Sequence, residues 1–505
     1  MADQYWVDKD ATGLWSDADA WGSASGVEDS TGPPGAGDKA IFDGAVVTNC
    51  RVDIAVTVGE LVTEAGYTGT IDATTDNPAI EVTDASGGTG DVILDGTRIN
   101  RGSGQWTVRG NFDNAHTFME DSSSSKLLLT GTAKTITSER STDRDFKGTL
   151  EISGTYTTGG DGIYLSSCAC TVSGTLTISA GDIVLIYYIS SLSITGTVTG
   201  QGTLEITYRT QITDISGTCD VAVLSVHRHE AVLADNWVLV AGTYESATVN
   251  LHSRVDATNY QLIFAPGTTT FTGNVNIYCS GTGTLLVDNS VNNPDLVFEG
   301  DLTVDDGAAT VIWTKGTGTI TLDGSNAQGV DLLDKVVENI VINKDAVVNT
   351  VTLKDGFTTD SLTLTQGTIA FDAGAMTFVI DDAGAEGDDT GSLTIGTNGQ
   401  VDPTNLDQKV FNVDGDGVLT GSDSDLLNLV ATGGWELNVA GTPTATWGDV
   451  AYSDASGGTE VDATANCTDS LNNTNWDFGV GYAGPTTYHL DPNATPSQTW
   501  KLTPA

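Results

Sequence analysis

The sequence predicts an all-β fold, an elongated parallel β-helix (β-solenoid) with an N-terminal cap and a short calcium-loop and helix insertion near the C-terminus. The first observation is a phrase, Gly-Thr-Leu-x-Ile, that begins at Gly148, Gly174 and Gly202. Its apolar and small polar residues alternate with the period of a strand that has one inward face. Because a unit this short cannot bury its own apolar face, successive units must stack on one another.

The second observation is the length and composition of the chain. It has 505 residues, with 60 Gly and only 11 Pro. Threonine and valine are prominent, whereas helix-forming residues are sparse, so strands and turns should dominate. A chain of this length suits an extended stack better than one compact core.

The third observation is a second set of inward apolar positions, at Leu302, Ile320, Ile340 and Leu362. The distances between these positions, and between the copies of the phrase, differ from one to the next. Coils that keep their strands while their corners vary in length would give this pattern. With roughly 20–25 residues in each coil, about 15 coils would lie between residues 46 and 400.

Changes in composition divide the chain into five segments. We expect an N-terminal cap or anchor at 1–45, which is rich in Trp, and the β-solenoid at 46–400. A calcium loop with a short helix would occupy 401–432, and terminal β coils would occupy 433–478. The segment 479–505 is predicted to be a C-terminal arm that becomes ordered only against a partner.

Both ends of the predicted solenoid resemble those of large β-solenoid proteins of bacterial surfaces and phage particles. At the N-terminus the resemblance depends on Trp15, Trp21, Gly37-Asp38 and Ile41-Phe42, which precede the first strand. At the C-terminus it depends on the phrase YSDASGGTEVDATANCTDSLNNTNWDF. The resemblance implies a capped solenoid and carries no functional residue.

The charge of the chain excludes some classes of partner. There are 20 Lys and Arg residues against 67 Asp and Glu residues, which gives a net charge of −47. Such a chain repels nucleic-acid phosphates and anionic lipid surfaces. We therefore expect no nucleic-acid partner, and since no apolar run is long enough to span a bilayer, no membrane insertion.

The six cysteines are scattered, without a CxxC pair, so the sequence does not favour a zinc site. They are predicted to be small buried apolar residues. They are Cys50, Cys168, Cys170, Cys219, Cys279 and Cys467.

The best motif for a bound ion is the stretch NVDGDGVLTGSD, at 412–423. In a calcium loop, oxygen ligands come from positions 1, 3, 5, 9 and 12 and from the backbone carbonyl of position 7. Position 6 of the loop, which needs glycine for a sharp turn, is Gly417. The predicted ligands are Asn412, Asp414, Asp416, the carbonyl of Val418, Thr420 and Asp423.

The residues that follow, DSDLLNLV, are predicted to form the exit helix of this loop. The loop resembles the calcium-binding repeat of dockerin modules, but Asn412 and Asp423 replace the usual Asp and bidentate Glu. The chain has one copy where a dockerin has two, so cohesin binding is not implied. We predict one structural calcium ion that stiffens the loop, against the alternative of an Asp/Gly turn without a metal.

Catalytic motifs are weak in this sequence. His227, Arg228, His229 and Glu230 form the only histidine cluster, which could ligate a metal or shuttle protons but is more typical of a surface or inter-subunit pair. No nucleophile elbow, phosphate-binding glycine loop or zinc helix occurs. We therefore predict that the protein is not an enzyme.

Three functions are compatible with these observations. The first is a structural protein of a virus particle, a phage capsid fibre, decoration or tail component, at the virion exterior. It would be a homo-oligomer, with a trimer favoured, which contacts other virion or envelope proteins through the chain ends and binds host-surface glycans. The start at Met1 without a secretory signal favours this function.

The second function is a bacterial or archaeal cell-surface adhesin or appendage subunit, which would share the fold. The third is a β-helical polysaccharide-degrading enzyme. A uronate lyase needs basic side chains, and this acidic chain has few of them. A glycosidase needs two carboxylates, and the sequence does not show which of the 67 Asp and Glu residues would form that pair.

Overall fold

A computed structural model describes most of the chain and divides it into two units. The first unit contains Met1–Asp288 with Asp306–Ile312, and the second contains Asn289–Asp305 with the chain from Trp313 onward. The described residues are 1–8, 12–95, 98–114, 118–121, 124–138, 146–160, 162–187, 191–207, 212–215, 217–228, 237–239, 241–253, 259–279, 283–307, 310–381 and 391–479.

Almost all regular structure in the described part of the first unit is β-strand. Its strands are Asp3–Trp6, Trp21–Gly22, Lys39–Phe42, Cys50–Arg51, Val56–Val58, Glu60–Thr63, Thr70–Asp72, Ile80–Val82, Val92–Leu94, Arg98–Gly102, Gln105–Val108, Phe112–Asn114, Phe118–Asp121, Lys126–Leu129, Lys134–Ser138, Phe146–Ile152, Thr155–Gly159, Gly162–Val172, Thr175–Ile178, Ile183–Tyr187, Ser191–Ile194, Thr197–Thr207, Ile212–Ile215, Thr218–Arg228, Trp237–Leu239, Gly242–Tyr244, Thr248–Ser253, Asn259–Phe264, Thr268–Phe271, Asn274–Cys279 and Thr284–Asp288.

The second unit has the same character, and the strand Thr310–Thr314 runs through the boundary between the units in sequence. The other strands are Asp295–Phe298, Leu302–Asp305, Thr319–Leu322, Gln328–Asp331, Val336–Val337, Asn339–Asn343, Thr350–Leu353, Phe357–Thr359, Ser361–Phe371, Met376–Ile380, Ser392–Val401, Lys409–Val413, Gly417–Thr420, Leu427–Val439, Pro443–Thr446, Gly448–Asp454, Val461–Ala465, Thr468–Asp469 and Trp476–Asp477. The helical segments described are the short 3₁₀ turns Ala18–Ala20, Ala85–Gly87 and Pro403–Asn405.

The predicted parallel β-solenoid is confirmed, with about 16 turns in the described parts of the two units together. Apart from one antiparallel pair at the N-terminus, the strand pairings described are parallel and join successive coils, and inward apolar residues alternate with outward polar ones. Ile320, Ile340 and Leu362 stack in one inward column, as the sequence predicts. Leu302 belongs to a different column, where it pairs with Val330.

The repeated phrase does not mark the length of a coil, contrary to our interpretation of its spacing. Leu150 pairs with Cys170, and Cys170 pairs with Leu192, so these coils contain 20 and 22 residues. Leu176, from the second copy of the phrase, lies in another column, next to Val198. The copies therefore occupy different columns of the solenoid, and apolar alternation rather than the phrase sets the register.

The N-terminal tryptophans pack together at the start of the first unit. The strand Asp3–Trp6 pairs antiparallel with Trp21–Gly22 and parallel with Lys39–Phe42. The ring centroids of Trp15 and Trp21 lie 4.8 Å apart, and that of Trp6 lies 5.7 Å from that of Phe42. These buried rings cover the first inward apolar side chains, which is the role expected of the cap.

The predicted helix after residue 423 is wrong, because Leu427–Val439 is a strand. Leu427 and Leu429 are buried while Asn428 is exposed, which is a two-residue period rather than a helical one. The strand pairs with Lys409–Val413 on one side and with Gly448–Asp454 on the other. The segment 401–432 therefore continues the coils, and a calcium-loop insertion is not confirmed.

The cysteines with described side chains, Cys50, Cys170, Cys219, Cys279 and Cys467, are buried, as predicted. Burial raises the pKa of Cys170 and of Cys219 to about 12. The side chain of Cys168 and the predicted arm beyond residue 479 lie outside the described part. In the part that is described, no helix is long and apolar enough to cross a membrane.

Candidate functional site

The predicted calcium ligands lie along a strand, a corner and a second strand of the second unit. Asn412 lies in the strand Lys409–Val413, and Asp414 and Asp416 lie in the corner that follows. Val418 and Thr420 lie in the strand Gly417–Thr420, and Asp423 lies in the turn beyond it. Gly417 begins this strand without a positive φ, so the sharp turn expected at position 6 is absent.

Several of these groups bond to neighbouring coils. The Asn412 Oδ1 atom accepts a hydrogen bond of 3.0 Å from the side chain of Asn438, and the Asp416 Oδ1 atom accepts one of 2.8 Å from the Thr442 backbone. Val418 pairs with Thr394 and with Thr444, and a parallel ladder directs its carbonyl to an adjacent strand.

No group of three or more His, Cys, Asp or Glu residues that could hold a metal ion occurs among the described residues. Calcium binding at 412–423 stays a prediction.

A second candidate site lies on the outward face of the first unit, across three consecutive coils. The strands Thr218–Arg228, Thr248–Ser253 and Asn274–Cys279 pair in parallel register. Their inward residues, such as Leu224 and Leu251, are buried in the core. The side chains between them point outward, and we call five of these the outer ladder: Ser225, Asn250, His252, Asn276 and Tyr278.

The outer ladder has direct contacts from coil to coil. The rings of His252 and Tyr278 stack with their centroids 4.6 Å apart and an interplanar angle of 4°. The Asn276 side chain donates a hydrogen bond of 2.9 Å to the Asn250 Oδ1 atom. The Ser225 Oγ and His252 Nε2 atoms are hydrogen-bonded at 3.2 Å, with the donor depending on the histidine tautomer.

Exposure differs along the outer ladder. His252 is only 7% exposed, whereas Ser225, Asn250, Asn276 and Tyr278 are half-buried. The half-buried members keep polar atoms at the surface, while the stacked rings and the core beneath them restrict their rotamers. A ligand would therefore meet a surface that is already ordered.

The sequence directed attention to His227 and its neighbours rather than to this ladder. His227 lies in register with His252, but the side chains of His227 and Arg228 and the residues His229 and Glu230 lie outside the described part. His252 was missed because its partners are one coil away in sequence. The alignment of His227, His252 and Tyr278 along successive coils was the available signal.

The outer ladder contains groups suited to sugar binding and, separately, a pair suited to nucleophilic catalysis. The Asn250–Asn276 pair and the Tyr278 hydroxyl offer donors and acceptors beside an aromatic ring, the combination that sugar hydroxyls and C–H faces fit. Separately, Ser225 and His252 are at the distance expected of a nucleophile and its general base.

Comparison with known proteins adds no family to this chain. No family model, curated protein or solved structure matches it.

Proposed function

We propose that this chain is a non-enzymatic structural protein of a virus particle that presents its β-solenoid at the exterior and binds host-surface glycans through the outer ladder. A phage capsid fibre, decoration or tail component is the form we favour. The observation that carries the proposal is the Tyr278–His252 stack beside the Asn250–Asn276 hydrogen bond on an outward face. A bacterial or archaeal surface adhesin would use the same surface.

The net charge of the chain restricts the classes of glycan that this surface would bind. With a net charge of −47, sialylated or uronate-rich glycans would meet like charge, which costs affinity at low salt. The outer ladder itself offers hydroxyl, amide and aromatic groups without a carboxylate. Neutral hexose-containing glycans are therefore the proposed ligands.

Assembly and metal binding belong to the same proposal. We expect a homotrimer, attached to other virion proteins through the chain ends, with one structural calcium at 412–423. The buried tryptophan cluster supports an end that is closed rather than open to further strands. Native mass measurement with and without a chelator tests both points, since an unaltered monomer would contradict the trimer and the metal together.

Glycan binding is tested by Tyr278→Ala on the full chain, with a glycan array and then titration of the best neutral glycan. We expect affinity to fall about tenfold, which is equivalent to about 1.4 kcal/mol. Tyr452→Ala, at a tyrosine that is 40% exposed in the second unit, is the matched control and should bind as the unmodified chain does. Equal binding by both variants would refute the outer ladder as the glycan site.

The location of the protein separates the two non-enzymatic functions. Mass spectrometry of purified virions and of cell envelopes should find the chain in virions. Recovery from envelopes alone would favour the adhesin.

A polysaccharide-modifying enzyme is a second candidate, because the Ser225 Oγ and His252 Nε2 atoms lie 3.2 Å apart, a distance that suits acyl transfer such as ester hydrolysis on a glycan. Cleavage of the glycan chain itself would need two carboxylates, which the outer ladder lacks. An enzyme should release product from a bound glycan, and Ser225→Ala should stop release while binding continues. If the unmodified chain releases no product, the enzymatic function is refuted and glycan binding remains the proposed function.

A further inference from the structure

A second outward face of the first unit carries a regular array of threonines. The strands Thr155–Gly159, Thr175–Ile178 and Thr197–Thr207 are consecutive neighbours in parallel register. Two columns run across them, and we call their six members the threonine array: Thr155, Thr175 and Thr197 in one column and Thr157, Thr177 and Thr199 in the other.

The columns continue beyond these three coils. Thr135 pairs with Thr157 at one end, and Thr218 pairs with Thr197 at the other. Asp220, next to Thr199, is the first charged residue along the second column. The regular surface therefore covers three complete Thr-x-Thr rows with threonine on both flanks.

The hydroxyls of the array are available to solvent. All six threonines are exposed or half-buried, and within the described chain none of their hydroxyls has a hydrogen-bond partner. Some strand threonines of the second unit differ, since the hydroxyls of Thr432 and Thr464 donate hydrogen bonds to Asp407 and Asp462. The array hydroxyls are thus free to bond water or a ligand.

The short stretches that carry the array contain no charged residue, although the chain as a whole is strongly charged. The stretches 153–160, 173–180 and 195–202 contain no Asp, Glu, Lys, Arg or His, although charged residues make up 17% of the whole. The outward side chains of the array itself offer water only hydroxyl and methyl groups.

The array is also rigid. Tyr156, Leu176 and Val198, which alternate with the threonines, are buried in the core. At the preceding corner, a Cβ on Gly174 would lie 2.1 Å from the Gly154 carbonyl oxygen, so the coils approach one another at backbone contact. Core packing and close corners hold the β-branched threonines in a fixed lattice.

The spacing of this lattice follows from strand geometry. Neighbouring coils lie about 4.8 Å apart, and alternate residues in a strand lie about 6.6 Å apart. Oxygen atoms in the prism face of hexagonal ice also repeat in two perpendicular directions, with one repeat close to the spacing of the coils and the other somewhat longer than the spacing of alternate residues. We propose that the threonine array binds ice, with its hydroxyls joining the lattice and its methyl groups filling the spaces between water molecules.

This inference does not depend on glycan binding, because the outer ladder and the threonine array share no residue. The test is ice-affinity partition of the purified full chain, together with thermal hysteresis and observation of crystal shape. The unmodified chain should enter the ice fraction and shape the crystals. Exclusion of the folded chain from ice would overturn the proposal.

Thr177→Tyr places a ring above the centre of the array while keeping a residue that favours strands. We expect it to abolish ice partition and crystal shaping. Thr321→Tyr is the matched control, because Thr321 is an outward, half-buried strand threonine of the second unit whose neighbours in its column are Val297 and Val341. It should partition as the unmodified chain does.

Circular dichroism at the temperature of the assay establishes that each variant is folded. If Thr177→Tyr is unfolded, Thr199→Tyr replaces it at the adjacent row. A folded array variant that still partitions into ice, or a loss of partition shared by Thr321→Tyr, would contradict the assignment.

Discussion

Two corners, one in each unit, join neighbouring coils in different ways. In the first unit, Gly154, Gly174 and Gly196 succeed one another at one corner, and a Cβ on any of them would lie 2.0 to 2.1 Å from a backbone oxygen of the coil before. In the second unit, buried polar side chains such as Glu338 and Lys344 bridge coils. Close backbone approach also occurs in the second unit, where a Cβ on Gly318 would lie 1.9 Å from the Pro294 oxygen. The second corner therefore differs from the first in its buried, hydrogen-bonded charge.

Glu338 shows how a charged corner is built. Its carboxylate accepts hydrogen bonds of 2.7 Å from the Asn289 side chain, 3.0 Å from the Trp313 indole and 3.0 Å from the Gly316 backbone. Desolvation by burial nevertheless raises the pKa of Glu338 above its usual value. The Glu338 carboxylate therefore supplies hydrogen-bond acceptors to its neighbours. Burying its charge costs free energy, and this cost depends on pH.

Lys344 adds a buried cation to the same unit. It donates to the Asp323 carbonyl and, at 3.2 Å, to the Gln328 Oε1 atom, and burial lowers its pKa. The stability of the two types of corner should therefore respond differently to an added methyl group and to a change of pH.

The largest expected effect is that of Gly174→Ala in the first unit. The added Cβ cannot be accommodated 2.1 Å from the Gly154 oxygen, so the coils must separate, and we expect a loss of about 3 kcal/mol. Chemical unfolding followed by hydrogen exchange of peptides from 146–207 measures it. Gly434→Ala, where nothing lies within 4 Å, should change stability by less than about 0.5 kcal/mol. Equal effects would show that close corners do not hold the first unit together.

A smaller loss is expected for Glu338→Ala in the second unit. Three buried donors lose their acceptor, but removal of a desolvated carboxylate recovers part of that cost, so the net loss should be about 2 kcal/mol. Unfolding reported by peptides from 289–344 measures the change. Glu460→Ala, at an exposed glutamate, should have no measurable effect on stability. If Glu338→Ala also left the free energy of unfolding unchanged, the Glu338 hydrogen bonds would not stabilise the second unit.

The smallest effect is a dependence of stability on pH that arises from Glu338. Because its pKa is raised in the folded chain, the folded state retains a proton that the unfolded state loses above pH 4.5, the ordinary value. Its contribution to stability is complete below pH 4.5 and is lost as the pH rises through the folded pKa. Urea unfolding of the second unit at a series of pH values should show this decline. Glu338→Gln should flatten it, and an unchanged slope would assign the decline to other groups.

The sequence was sufficient for the features that depend on local alternation. The two-residue period predicted inward columns such as Ile320, Ile340 and Leu362, and the buried cysteines followed from the same pattern. Coil length was not predictable from the Gly-Thr-Leu phrase, because its copies lie in different columns. Register depends on which strands meet across a coil, and that is a long-range property.

The candidate sites show the same limit. The Asp/Gly spacing at 412–423 fits a calcium loop, but the same residues fit a solenoid corner, and Leu427 and Leu429 fit a strand as well as a helix. Tertiary pairing decided between these structures. Tyr278 gave no signal in its own segment, because it becomes part of a site only when the next coil brings His252 beside it.

The contrast between the two kinds of corner is tested most directly by hydrogen exchange of the intact chain at pH 5 and pH 8, corrected for intrinsic exchange rates. We predict that protection of the Gly154–Gly174–Gly196 corner stays the same at both pH values, whereas protection around Asn289, Trp313 and Glu338 falls at pH 8. Equal changes in the two regions would contradict the account.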